Sequence, residues 1–93
     1  MMRARARHIL VPTRETCEQL KQDIMNGQDF AEVAAAHSTC PSGRRGGDLG
    51  TFGKEEMVPE FEEVVFTGDV GVVHGPVQTQ FGFHLIEVTE RTE

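Results

Sequence analysis

From Arg7 to Val11 the chain is rich in β-branched and apolar residues and stops at Pro12, a pattern that predicts a first strand. Apolar positions then recur at Cys17, Leu20 and Ile24, spaced by three and four. With Thr13 placed to cap and Asn26-Gly27 to stop, Thr13 to Asn26 is predicted as an amphipathic helix. Asp29, with Glu32 three residues later, forms a capping box for a second helix whose one face carries Phe30, Val33, Ala34 and His37. Ser38 to Gly47 reads as a loop with room for a short helical turn, and Asp48 to Phe52 as a brief strand. Pro59 fits the first turn of a third helix, which runs through Phe61, Val64 and Val65 to a stop at Gly68. Val72 to Val77 and Phe83 to Thr89 are two further strands, separated by a turn around Thr79 to Gly82. The order strand, helices, strand, helix, strand, strand is an α+β pattern with a mainly antiparallel sheet.

Length narrows this to one domain, residues 1–93 with its core between 7 and 90, and to a core that forms a single cluster. Apolar and charged fractions of 38% and 26% are ordinary for a globular chain, so the ten glycines do not signal disorder. A net charge of -6 argues against a general binder of nucleic acid or anionic membrane, both of which draw affinity from basic surfaces. Cys17 and Cys40 lack the CxxC or CxxH spacing of a zinc site or redox pair, which points to reduced thiols and a cytoplasmic location. The start MMRARARHILV is too short in apolar residues for a signal-peptide core or a membrane span. Arg3, Arg5 and Arg7 fall on one side of an extended segment and read as a solvated strand edge. Glu55, Glu56, Glu60, Glu62 and Glu63 read as a solvated helix face, and His37 and His74 have no partner at ligand spacing. Nothing requires a cofactor, a metal or a dimer, and a monomer is expected.

Candidate chemistry concentrates in the run CPSGRRGGDLGTFGKEEMVPEF from Cys40 to Phe61. Glycines 43, 46, 47, 50 and 53 allow positive φ and close backbone approach, and the run gathers Leu49, Met57 and Phe61 into a concave apolar surface. His8 lies in the first strand and His84 in the last, and terminal strands of small α+β sheets are often neighbours, which would bring the two imidazoles side by side. Period two puts His84, Ile86 and Val88 on one face of the last strand and Leu85 and Glu87 on the other. Such a pair needs one imidazole to donate and the other to accept, both neutral near pH 7, and the Thr79 hydroxyl can complete the network. From the residues alone, buried structural histidines, an inert thiol, and core packing of Met57 and Phe61 remain open.

The segments HILV, CPSGRRGGDLGTF, MVPEFEEVVF and GPVQTQFGFHLIEV, in this order, resemble the parvulin family of peptidyl-prolyl cis/trans isomerases, and its small single-domain bacterial members most closely. The resemblance runs from Arg7 to Val88 and implies a four-stranded antiparallel sheet surrounded by about four helices, an FKBP-like architecture. By position it makes His8 and His84 the paired histidines, Thr79 their hydrogen-bonding neighbour, and Cys40 the polar residue between them and the substrate. Leu49, Met57 and Phe61 become the wall that receives the proline ring, with Phe81 as an addition. The implied activity is rotation about Xaa-Pro bonds of polypeptide substrates during folding, by non-covalent desolvation and twisting of the imide and without cofactor or metal. Eukaryotic parvulins that act on phosphorylated substrates carry a basic cluster on a long loop after the first strand. Here that connection is Pro12-Thr13-Arg14-Glu15, so an apolar or uncharged residue before proline is expected. Three rival readings stand beside this one: a non-catalytic polypeptide-binding chaperone module, a thiol enzyme using Cys40 with His8 or His84, and a metal site built from the same three residues.

Overall fold

Every predicted element forms, and the strands run longer than the apolar pattern marks. The computed structural model describes residues 2–92 as β1 (Arg3–Val11), α1 (Arg14–Met25), α2 (Phe30–His37), a 3-10 helix (Pro41–Arg45), β2 (Asp48–Gly53), α3 (Pro59–Thr67), β3 (Val73–Thr79) and β4 (Gly82–Thr92). Three α-helices and the 3-10 helix account for the four helices expected. The strands form one antiparallel sheet in the order β2-β1-β4-β3. The first and last strands are thus its central pair, in register from Arg3 opposite Thr92 to Val11 opposite Phe83, with a slip between Arg5 and Ala6.

That pairing corrects the reading of the arginine-rich start. β1 is flanked on both sides, so Arg3, Arg5 and Arg7 do not guard an edge. Ala4 and Ala6 are buried, and the arginines emerge on the opposite face, where neighbouring strands supply acids. Arg5 Nη2 lies 2.5 Å from Asp48 Oδ2 on β2. Arg7 Nη2 lies 2.6 Å from Glu87 Oε1 on β4, and its guanidinium sits 4.5 Å over the Phe30 ring. Alanine marks a buried position only weakly in a sequence, which is why the strand reads as starting at Arg7.

The core is also not one cluster but two, one on each face of the sheet. α3 covers Ala4, Ala6, Phe52 and Ile86 with Phe61, Val65 and Phe66. α1 and α2 cover Ile9, Val11 and Leu85 with Cys17, Leu20, Phe30 and Val33. Ile9, Leu85 and Ile86 are fully buried, each contributing about 1.5–3 kcal/mol of burial free energy. His37, placed by the sequence on the packed face of α2, is exposed at its last turn.

Helix ends follow the capping chemistry. Thr13 Oγ1 accepts from Thr16 N at 3.2 Å at the start of α1, and Asp29 Oδ2 accepts from Glu32 N at 3.1 Å at the start of α2. α3 differs: it begins at Pro59 with no side-chain cap, and its C-terminal carbonyls are held from β4. Arg91 Nη1 donates to Val65 O at 3.0 Å and to Gly68 O at 2.6 Å. Among the described residues, no helix is long and apolar enough to cross a membrane.

Candidate active site

The central strand pair sets the site. Leu10 is opposite His84 and His8 is opposite Ile86, so the two histidines stand diagonally on one face. Their Nδ1 atoms are 3.0 Å apart, with the rings stacked at 18° and centroids 5.2 Å apart. Both side chains are buried.

The glycine-dense run brings the next partner. Gly47 (φ +86) passes so close to β1 that a Cβ there would meet His8 O at 2.3 Å, and its carbonyl accepts the His8 N–H at 2.9 Å. Three of the five glycines (46, 47 and 50) take the left-handed conformation, while Gly43 is needed for close approach to Ala34 O. Folded back in this way, the 3-10 helix delivers Ser42, whose Oγ is 3.2 Å from His8 Nε2 and 3.3 Å from Cys40 Sγ. On the other side Thr79 Oγ1 is 2.8 Å from His84 Nε2 and accepts the Phe81 backbone N–H at 3.1 Å.

Donor–acceptor matching gives this chain of hydrogen bonds one direction. Ser42 spends its single proton on Cys40 Sγ and so accepts from His8 Nε2, and in the same order Thr79, which accepts the Phe81 N–H, gives its own proton to His84 Nε2. His84 then carries its proton on Nδ1 and donates to His8 Nδ1, and His8 carries its own on Nε2 and donates to Ser42. Ser42 in turn donates to Cys40 Sγ. The reverse order would leave the Thr79 proton without an acceptor. Both imidazoles are therefore neutral, each with one proton. Burial lowers the His8 pKa to about 4, aided by the neighbouring charge of His84, and burial lowers that of His84 as well.

Phe61, on α3, stands edge-on to both imidazoles, 5.5 Å from His8 and 5.7 Å from His84, each at 81°. Its ring is the floor of an open cleft of about 480 Å³. Leu49 of β2 and Met57 ahead of α3 form one wall, Cys40 and Pro41 another, and Phe81, 63% exposed on the β3–β4 turn, overhangs the rim. Of the eight residues named from the sequence, seven line this cleft; Thr79 stands buried behind it and reaches it through His84. Ser42, Leu10 and Glu56 were missed. Only the hydroxyl of Ser42 in the CPSG turn hinted at a role, and nothing in the sequence showed the turn folding back onto β1.

The geometry removes the thiol-enzyme reading. All four imidazole nitrogens are engaged with each other, Ser42 or Thr79, so no base stands beside Cys40 Sγ. No group of three or more His, Cys, Asp or Glu side chains suited to a metal occurs among the described residues. Cys17 is remote from this chemistry, buried against α2, and burial pushes its thiol up to about 11.

A family model described as Rotamase, the PPIC-type PPIASE domain, matches residues 8–90. The chain belongs to this family. Foldase protein PrsA of Halalkalibacterium halodurans is 44% identical over 94 residues, covering 100% of this chain and 28% of that protein. This PPIC-type domain spans about a third of the length of the curated relatives it matches. A solved structure described as peptidylprolyl isomerase (PrsA) from Bacillus anthracis superposes with a TM-score of 0.96 at 33% identity, over 99% of this chain and 43% of that one. The parvulin NmPin of Nitrosopumilus maritimus, of similar size, superposes with a TM-score of 0.85 at 30% identity, over 95% of this chain and 96% of its own. The second match gives the PPIC-type domain the parvulin fold.

Proposed function

We propose that this parvulin-type domain accelerates cis/trans isomerisation of Xaa-Pro bonds in polypeptides, and so assists their folding, without forming a covalent intermediate. The observation that carries this reading is an open apolar cleft floored by Phe61 and bounded by the neutral His8–His84 pair. Amide rotation is opposed by roughly 18–20 kcal/mol because nitrogen conjugates with the carbonyl. Leu49, Met57 and Phe61 strip water from the prolyl imide, which disfavours the planar dipolar form relative to the twisted one. Each tenfold acceleration needs only about 1.4 kcal/mol less barrier. Met57 adapts to both isomers through its flexible thioether, while the hydrogen-bonded chain holds Cys40 at the cleft as a polar contact for the turning carbonyl.

Relatives named foldase, and the exposed ring of Phe81, also support a second reading, a polypeptide-binding module that does not catalyse rotation. Exchange NMR on a Leu-Pro peptide separates the two. Catalysis predicts exchange enhanced by the domain and reduced at least tenfold by Met57→Ala with the fold intact; binding without enhanced exchange would leave only the second reading. Phosphoserine before proline should turn over no faster than glutamate there, because the connection after β1 offers a phosphate only the guanidinium of Arg14. Faster turnover of the phosphopeptide would refute this. The two free thiols support a reducing compartment, the cytoplasm, and the self-contained site supports a monomer.

A further inference from the structure

The proline cleft does not end at Cys40. A second depression of about 320 Å³ shares Thr39, Cys40 and Pro41 with it and continues to Ser38 and Arg44. Donors without acceptors collect there. Ser38 Oγ accepts the backbone N–H groups of Leu10 at 3.0 Å and Cys40 at 3.4 Å, which leaves its own proton to give. Cys40 Sγ accepts from Ser42, so the thiol proton is likewise left to give. Arg44, exposed at the margin, makes no hydrogen bond or ion pair with an acceptor among the described residues. The cleft, unlike the depression, is lined by an acid, Glu56 beside Met57, whose Oε2 takes the Gly53 N–H at 2.6 Å.

We propose that this depression is a second subsite of the same groove, that it takes the carboxylate of an Asp or Glu side chain of the client polypeptide outside the Xaa-Pro pair, and that Arg44 reads it. The proposal rests on the reading of the apolar cleft as the proline site. A carboxylate meets the guanidinium and the spare hydroxyl proton together, an arrangement that suits an anionic acceptor and gives an ammonium nothing. Glu56, which lines the cleft and not the depression, repels a like charge there, so the preference has one direction along the peptide.

The test uses peptides with a single Leu-Pro bond in an alanine frame, carrying Glu, Gln or Lys at either of two positions on each side. Affinity is read by NMR titration of the isotope-labelled protein, and isomerisation by exchange on the same samples. On one side of the bond Glu should bind about two- to fivefold more tightly than Gln, the range of a partly exposed ion pair, with Lys weakest. Arg44→Gln should abolish the difference and Arg44→Glu should transfer it to Lys. Arg45→Gln removes the same charge from the next residue, which lines another cleft beside Arg5 and Asp48, and should retain the difference. Equal affinities for Glu and Gln on both sides, or a Glu preference that survives Arg44→Glu, would overturn the subsite. Failure of every peptide to show enhanced exchange counts against the isomerase reading alone, because the affinity ratios still decide the subsite.

Discussion

Ser42 links the histidine pair to Cys40, and it is one of the residues the sequence did not reveal. His8, His84 and Thr79 were legible because strand period and the pairing of terminal strands place them by simple geometry. Ser42 depends on where a glycine-dense run folds back, which Gly47 decides by packing against His8 O, and local pattern does not encode that contact. The hydrogen-bond polarity makes a prediction about pH. A proton added to His8 lands on Nδ1, which then faces the Nδ1–H of His84 donor to donor and breaks the 3.0 Å link. Because burial lowers the pKa of His8 to about 4 and lowers that of His84, kcat/KM should stay level from pH 8 to about 6 and fall as pH approaches 4. Exchange NMR across this range checks it. A rate that already falls between pH 7 and 6 would mean that the imidazoles take up protons as readily as in water.

At the scale of elements, α3 governs the cleft, because it carries Phe61 and follows directly on Met57. Its boundaries were readable from Pro59 and Gly68. Its anchoring was not. Two carbonyls at its C-terminus are held by Arg91, 23 and 26 residues further on, and only the sheet brings that guanidinium near. Glu56 ahead of the helix and Glu62 within it accept the backbone N–H groups of Gly53 and Glu55, so part of the acidic run latches a turn and is not merely solvated. Hydrogen bonds from a charged donor contribute roughly 1.5–3 kcal/mol, and neutral loss of Arg91 leaves half-buried carbonyls without their partner. Arg91→Met should lower the unfolding free energy in urea by about 1–2 kcal/mol, and Arg91→Lys should recover part of it. An unchanged urea midpoint in Arg91→Met would show that α3 is held by its apolar face alone.

For the molecule as a whole, the division of the core by the sheet has a consequence for stability. The sequence pattern pointed to a single cluster, since Ala4 and Ala6 read as neutral positions and not as the lining of the α3 side. On that side the two neutral imidazoles are enclosed with Phe61, while Arg7, Asp48 and Glu87 stay on the opposite face. An unfolded histidine takes up its proton near pH 6.5, whereas His8 in the fold does so only near 4. Between these values the unfolded chain binds more protons than the folded one, so the contribution of His8 to stability is full above about pH 6.5, declines as pH falls toward 4 and levels off below it. The shift of His8 corresponds to roughly 3 kcal/mol, a large part of the net stability expected of so small a domain. Asp48, whose pKa is lowered first by its hydrogen bond from Arg5, contributes stability that is lost only at more acid pH, so the two windows separate. Urea unfolding from pH 7 to 4.5 should therefore show proton uptake on unfolding that grows as pH falls below 6.5, to about one from His8 with a further contribution from His84, and His8→Asn should reduce that slope. A wild-type unfolding free energy constant over this range would show that the imidazoles are as readily protonated in the fold as in water.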